Sequence, residues 1–169
     1  TAIRGVYFAN NIAITWILLE TTTLCGASIL YYRRSEVTLE ATWKYLFVCS
    51  TGIAIAYLGI LLLCAAATNS SLSYEDLPQI IANGNPLYLK AAFLLVLTGY
   101  SCKMEIFPLY TIGVDANFAA PAPASALLST GLVNAGFLAI FRIYRLFAHT
   151  EIFGWVQNVM LIIGVLSLV

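Results

Sequence analysis

The sequence predicts an all-α polytopic membrane helix bundle of about five spanning helices, the third of them discontinuous near Pro108. Three observations carry that expectation. Of the 169 residues, 61% are hydrophobic and only 9% charged, where soluble domains run at roughly 45–50% and 25%. The apolar residues gather into runs long enough for a spanning helix, which takes about 20 residues. A charge, Lys103, and a helix-breaking residue, Pro108, fall inside one of those runs.

The first run, Val6 to Tyr32, ends at the polar turn Arg33-Arg34-Ser35-Glu36. Ala41 to Ala67 follows. At its start Glu40 and Lys44 stand four apart, a spacing that supports a helical ion pair; alternatively Lys44 points inward and extends a buried row of charge. The next connection, Ser73 to Pro86, carries Glu75, Asp76, Pro78 and the turn cluster Asn83-Gly84-Asn85-Pro86. The third run, Leu87 to Val114, is too long for one straight span. Proline removes a backbone donor and crowds the preceding turn, so this helix breaks just ahead of Pro108, and the freed groups must meet neighbouring helices or water. Pro123 to Phe147 and Ile152 to Val169 complete the set. No Gly/Ser linker divides the chain, so residues 1–169 read as a single transmembrane domain. No charged n-region precedes the first run and Val169 stops inside an apolar run, so the sequence reads as a fragment of a longer polytopic chain. The basic residues divide nearly evenly between the two faces, with Arg33, Arg34 and Lys44 against Arg4, Lys90, Arg142 and Arg145.

Polar residues inside these runs are the candidate functional groups. A charge near the bilayer centre costs about 2.5–3.5 kcal/mol on insertion scales, so it normally faces a bundle interior or a wet cavity. Lys103 lies roughly 21 Å along the helix from Leu89, near mid-membrane, and is a candidate for proton or ion handling; the alternative is a stem crossing apolar surface with its head at an interface. Glu20, in Trp16-Ile-Leu-Leu-Glu20-Thr-Thr-Thr-Leu24, is a candidate proton-handling carboxylate paired with Lys103, or else a structural helix–helix ion-pair partner or a neutral acid hydrogen-bonded to threonine hydroxyls. Glu105 is a second buried acid or a charge beside the unwound turn. Asn134, with Ser129 and Thr130, offers neutral groups that either bond between helices or hold a water chain. Gly52/Ala56 and Gly131/Ala135 are small-residue pairs that permit close helix approach.

Other chemistries find no support. Eight basic and eight acidic residues balance, which removes any electrostatic argument for nucleic acid or a polybasic lipid-surface patch. The four cysteines, Cys25, Cys49, Cys64 and Cys102, lie in apolar stretches without ligand spacing and read as buried thiols. With a single histidine, His149, neither a zinc site nor a two-histidine haem site can be assembled, so no metal or cofactor is expected in this chain.

The stretch Gly99-Tyr-Ser-Cys-Lys-Met-Glu-Ile-Phe-Pro-Leu-Tyr-Thr-Ile-Gly-Val-Asp-Ala116, followed by Ala120-Pro-Ala-Pro-Ala-Ser-Ala-Leu-Leu-Ser129, resembles the signature of the antiporter-like, proton-pumping membrane subunits. These occur in respiratory complex I, in multisubunit sodium/proton antiporters and in membrane hydrogenases of the formate-hydrogenlyase and hydrogenase-four type. Trp16 to Leu24 is similar to the family helix that carries an essential glutamate, and Leu39 to Leu46 to the start of the next. Leu128-Ser-Thr-Gly-Leu-Val-Asn134, ending near Arg142, is most similar to the hydrogenase branch.

The resemblance covers nearly the whole chain and corresponds to helices five to nine of about fourteen. It implies that Glu20 and Lys103 form the pair that moves a proton in a half-channel, with Lys44 matching the sixth-helix lysine. The eighth-helix lysine of the family falls at Asn134, a possible water-relay position. The family's histidine and tryptophan after the proline become Tyr110 and Ile112, and its Pro-Asp becomes Val114-Asp115. It further implies a redox-driven complex of the NADH-quinone oxidoreductase or membrane hydrogenase type, with other membrane and peripheral subunits as partners, protons or sodium as the moved ion, and a prokaryotic inner membrane as the location. The alternatives are a non-conducting scaffold for a peripheral oxidoreductase and an unrelated secondary transporter, since broken helices with midplane charges also build substrate sites.

Overall fold

The structure, a computed structural model, describes residues 1–66, 72–82, 84–107 and 109–168, with the side chains of all of these but Arg33 and Ile112. Pro108, Asn83 and the expected span ends Ala67 and Val169 lie outside them. In chain order the helices are α1 (Ala2–Phe8), α2 (Ile12–Leu30), α3 (Glu36–Ala66), α4 (Leu77–Ile81), α5 (Pro86–Met104), α6 (Thr111–Ala119), α7 (Ala122–Leu127), α8 (Val133–Leu146) and α9 (Phe153–Leu166). A π-helical turn, Leu128–Leu132, joins α7 to α8 without interrupting the rod. Four helical stretches, 12–30, 36–66, 86–104 and 122–149, are long and apolar enough to cross a membrane, and α9 is a shorter apolar helix of 14 residues.

Local chemistry explains most boundaries. The first expected run is split, because the Asn11 side chain accepts from the amides of Ala13 and Ile14 and so starts a new helix. Ser35 and Thr38 cap α3 reciprocally, the Ser35 hydroxyl accepting from the Thr38 amide at 3.2 Å and the Thr38 hydroxyl from the Ser35 amide at 3.0 Å. That cap starts α3 at Glu36, five positions before the expected Ala41. At 31 residues α3 is about 46 Å long, more than the roughly 30 Å of hydrocarbon requires. Asn85 caps α5 through the Leu87 amide, with Pro86 in the first turn where its missing donor costs nothing.

The tightest crossing is α3 on α5. Gly52, Ala56 and Gly59 face Ala92, Val96 and Gly99; a Cβ added at Gly59 would sit 2.7 Å from Val96 Cγ2 and 2.8 Å from the Ala92 carbonyl. Of the two expected small-residue pairs, Gly52/Ala56 serves this crossing. In the other region the close contact belongs to Gly136 instead, where an added Cβ would meet Lys103 Cβ at 2.8 Å.

One end of the bundle is tied together by polar groups. The Arg142 guanidinium donates to the carbonyls of Val6 (3.0 Å), Ala9 (2.7 Å) and Tyr7 (2.6 Å), closing the C-terminal end of α1, and stacks over the Tyr74 ring at 5.4 Å. Tyr74 donates to the Thr15 hydroxyl at 3.2 Å. Burial pushes this phenol above its ordinary value, so it remains a donor. Phe93 and Phe147 are buried and the half-buried Trp155 packs on them, with Phe93 edge-on to the other two rings at 5.4 and 6.3 Å.

Candidate functional site

The site begins with how α5 ends. Its backbone stops being helical after Met104, and Glu105 takes a left-handed conformation with φ 54°. The amides of Glu105 and Ile106 both return to the Ser101 carbonyl, the latter at 3.3 Å, which closes the helix in the manner of a Schellman turn. The chain resumes as α6 at Thr111. The third span is therefore discontinuous, as its excess length and its proline predict, and the break lies after Met104, one residue past Lys103.

That placement helps the lysine. Lys103 is 3% exposed and sits in the last turn of α5, where the free carbonyls and the negative end of the helix dipole favour a cation. Its ammonium donates to the Thr23 hydroxyl at 2.5 Å and lies 5.4 Å from the centre of the Tyr45 ring. Lys103 therefore does not snorkel to an interface.

Glu20 meets Lys103 through that same threonine. Thr23 Oγ1 lies 3.2 Å from Glu20 Oε2 and 3.3 Å from the Leu19 carbonyl, so its single proton can turn toward either acceptor. Ser50 on α3 donates to Glu20 Oε1 at 2.8 Å. Among the described residues there is no direct ion pair between Glu20 and Lys103. The link is a protein hydroxyl, and α2, α3 and α5 each contribute to the row Ser50, Glu20, Thr23, Lys103.

The other two candidates lie elsewhere. Lys44 pairs with Glu40 at 2.8 Å and with Asp115 of α6 at 3.7 Å, all three side chains being more than half exposed on this chain. It points away from the Lys103 row and clamps α3 to α6. Asn134 is exposed on the same side of α8 as Phe137 and Phe141, whose rings stack at 5.8 Å, while Ala135, Gly136, Ala139 and Ile140 face the bundle. Cys49 and Cys102 are buried, whereas Cys25 is exposed and Cys64 half-buried, which corrects the expectation of four buried thiols.

Sequence reading missed Ser50 and Tyr45, and it raised the threonine hydroxyls beside Glu20 only as partners of a neutral acid, not as the link to Lys103. Thr23 carried a usable signal, since it stands three residues after Glu20 and so shares its helix face. Tyr45 and Ser50 carried none. The Tyr45 hydroxyl is buried without a hydrogen-bond partner among the described residues. Its side chain, with Lys103, Glu105 and Gly113, lines a cavity of about 10 Å³, close to the smallest volume that holds one water. Such a row can bind a cation, exchange a proton along hydroxyl and carboxylate groups, and admit single waters, but it cannot enclose an organic substrate.

Comparison with known proteins gives the family and the fold. The family described as "NADH:quinone oxidoreductase/Mrp antiporter, TM" matches residues 9–169. The chain is 31% identical over 140 residues to the "Hydrogenase-4 component F homolog" of Methylacidiphilum infernorum, covering 79% of this chain and 29% of that one. It is 33% identical over 140 residues to "NADH-quinone oxidoreductase subunit N 1" of Opitutus terrae, covering 76% and 28%. A chain in the structure of the membrane-bound sulfane sulfur reductase, an archaeal respiratory membrane complex, superposes with a TM-score of 0.89 at 23% identity, over 96% of this chain and 33% of that one, and shares its fold. The chain thus spans 29% and 28% of the two curated relatives named here and 33% of that structure's chain. Its all-helical bundle, its broken third span and the match over residues 9–169 make it a member of the NADH:quinone oxidoreductase/Mrp antiporter family of integral membrane proteins.

Proposed function

We propose that this chain forms the Glu/Lys portion of a proton-translocating subunit in a redox-driven membrane complex of the NADH-quinone oxidoreductase or membrane hydrogenase type. The observation that carries the reading is the buried Lys103 ammonium at the end of a broken helix, joined to Glu20 through one hydroxyl. A proton passes between them when the ammonium gives a proton to the Thr23 oxygen while Thr23 gives its own to the Glu20 carboxylate. Lysine becomes a neutral amine, glutamate a neutral acid, and threonine is unchanged. The reverse step restores both charges. A change of charge near Glu20 alters how strongly it holds the Lys103 proton, and that coupling is what a driving reaction in neighbouring subunits would use.

Lys44 and Asp115 would then serve at the margin of the path, and Asn134, which cannot store a proton, would at most orient water against a helix that packs on α8. The relatives named as subunits or components support partnership with other membrane and peripheral subunits. The small cavity beside Lys103 weighs against the transporter alternative, whose substrate would need an enclosed space of several hundred Å³.

The test is proton uptake by vesicles containing the complete complex, with assembly checked in parallel. Lys103→Ala abolishes uptake while the bundle still assembles, because removing a buried cation also removes its desolvation cost. Lys103→Arg impairs it, since guanidinium does not release its proton. Asn134→Ala has the smaller effect. Full pumping by assembled Lys103→Ala complexes would leave the scaffold reading in its place.

A further inference from the structure

We propose that Glu105 is a second proton-accepting carboxylate for Lys103, receiving on the α6 side the proton that Lys103 exchanges with Glu20 on the α2 side; the assignment rests on the translocation reading above. Four observations converge on it.

The first is backbone strain. Glu105 has φ 54°, and the only other non-glycine residue with positive φ among the described residues is Arg34, in an exposed turn. A left-handed residue other than glycine costs roughly 1–2 kcal/mol, and the residue closing a helix in this way is usually glycine. The chain holds a carboxylate where glycine would be easier, and strain kept at one position points to a use for the side chain. The second observation is the seat made for it: the Glu105 carboxyl lies directly on Gly113, where any Cβ would collide with it.

The third is a fixed donor. Asn117 Nδ2 donates to Glu105 Oε1 at 3.3 Å, and Ser125 donates to Asn117 Oδ1 at 3.1 Å. The serine thereby sets which end of the amide faces the carboxylate. An amide donates from nitrogen and accepts at oxygen, so Asn117 and Ser125 position Glu105 and do not carry its proton onward. The fourth is access. Lys103 and Glu105 line the same cavity of about 10 Å³, they form no direct ion pair among the described residues, and the space is on the scale of one water.

The step balances without further reactants. The Lys103 ammonium gives a proton to a bridging water as that water gives one to the Glu105 carboxylate, leaving an amine, a water and a carboxylic acid. Lys103 then stands between two acids approached by separate routes, Thr23 on one side and the cavity on the other. This supplies a titratable group within the chain although the α8 position carries Asn134.

The experiment uses the complete complex in vesicles, with proton uptake and assembly measured for Glu105→Gln, Glu105→Gly and Lys103→Ala. Glu105→Gln keeps the shape and an oxygen for Asn117 but cannot take the proton. Glu105→Gly removes the carboxyl and relieves the backbone, so it assembles at least as well as the parent. Both are expected to lose about 100-fold in uptake, the scale of a lost proton-transfer group. If the role of Glu105 were structural, Glu105→Gly would pump normally, and wild-type uptake by either assembled variant overturns the proposal. Should Lys103→Ala also pump fully, the translocation reading itself falls; should Lys103→Ala be inactive while the Glu105 variants pump, only the Glu105 assignment falls.

Discussion

Replacing Thr23 by valine isolates the link between Glu20 and Lys103 without emptying space, because valine matches threonine in shape and lacks only the hydroxyl. Thr23 is fully buried, so no solvent replaces that oxygen at once. The ammonium loses its acceptor at 2.5 Å and the carboxylate its donor at 3.2 Å. A hydrogen bond to a charged group contributes about 1.5–3 kcal/mol, and at roughly 1.4 kcal/mol per factor of ten the engaged arrangement weakens by about 10- to 150-fold. Proton uptake by vesicles holding the assembled complex should fall by at least about tenfold on this scale. Thr23→Ser keeps the hydroxyl and should retain most activity. Thr22→Val is the matched control: Thr22 is also buried, and its hydroxyl donates to the Leu19 carbonyl at 2.6 Å without touching Lys103. Equal uptake by assembled Thr23→Val and parent complexes would refute the hydroxyl-linked path.

Three further outcomes follow from the packing and the surface charges. Gly99→Val should prevent accumulation of the folded chain in membranes, since its Cβ alone would strike the Gly52 carbonyl and the Ala56 amide, and overpacking costs about 1–3 kcal/mol even where the core can shift; normal levels on a membrane immunoblot would contradict this. Arg142→Ala frees three carbonyls at the end of α1, so amide exchange should quicken through the α1–α2 turn and stay unchanged around Lys103; protection equal to the parent's would dismiss the tie. Lys44→Ala removes two ion pairs between exposed side chains, which water screens, so assembly should persist and uptake should fall less than in Lys103→Ala; a loss as complete as that of Lys103→Ala would move Lys44 into the central path.

The broken span was legible because its signals are strong and local: a lysine that hydrocarbon cannot hold cheaply, excess length and a nearby proline. The split between α1 and α2 was harder to see, because Asn10 and Asn11 are two polar residues within a long apolar stretch and only the cap geometry makes them a boundary. Asn134 comes just after the π-helical turn at Leu128–Leu132, so a helical count carried through from the residues before that turn does not give the face it takes. An extra residue in one turn rotates everything after it, and composition does not record it. Lys44 meeting Asp115 is a contact between residues far apart in sequence, which no helical periodicity reports. Glu105 was visible as a charge beside the break, but its left-handed backbone contradicts local preference and emerges only from the fold.

The contact between Glu105 and Gly113 also governs where the acid can point. The space that a Cβ at 113 would need is filled by the far end of the Glu105 side chain, which is flexible and can turn aside. A larger residue at 113 would therefore not bar an acid at 105 but would turn its carboxyl out of this seat. The glycine thus sets a direction: with a side chain at 113 the same acid would be a carboxylate aimed elsewhere.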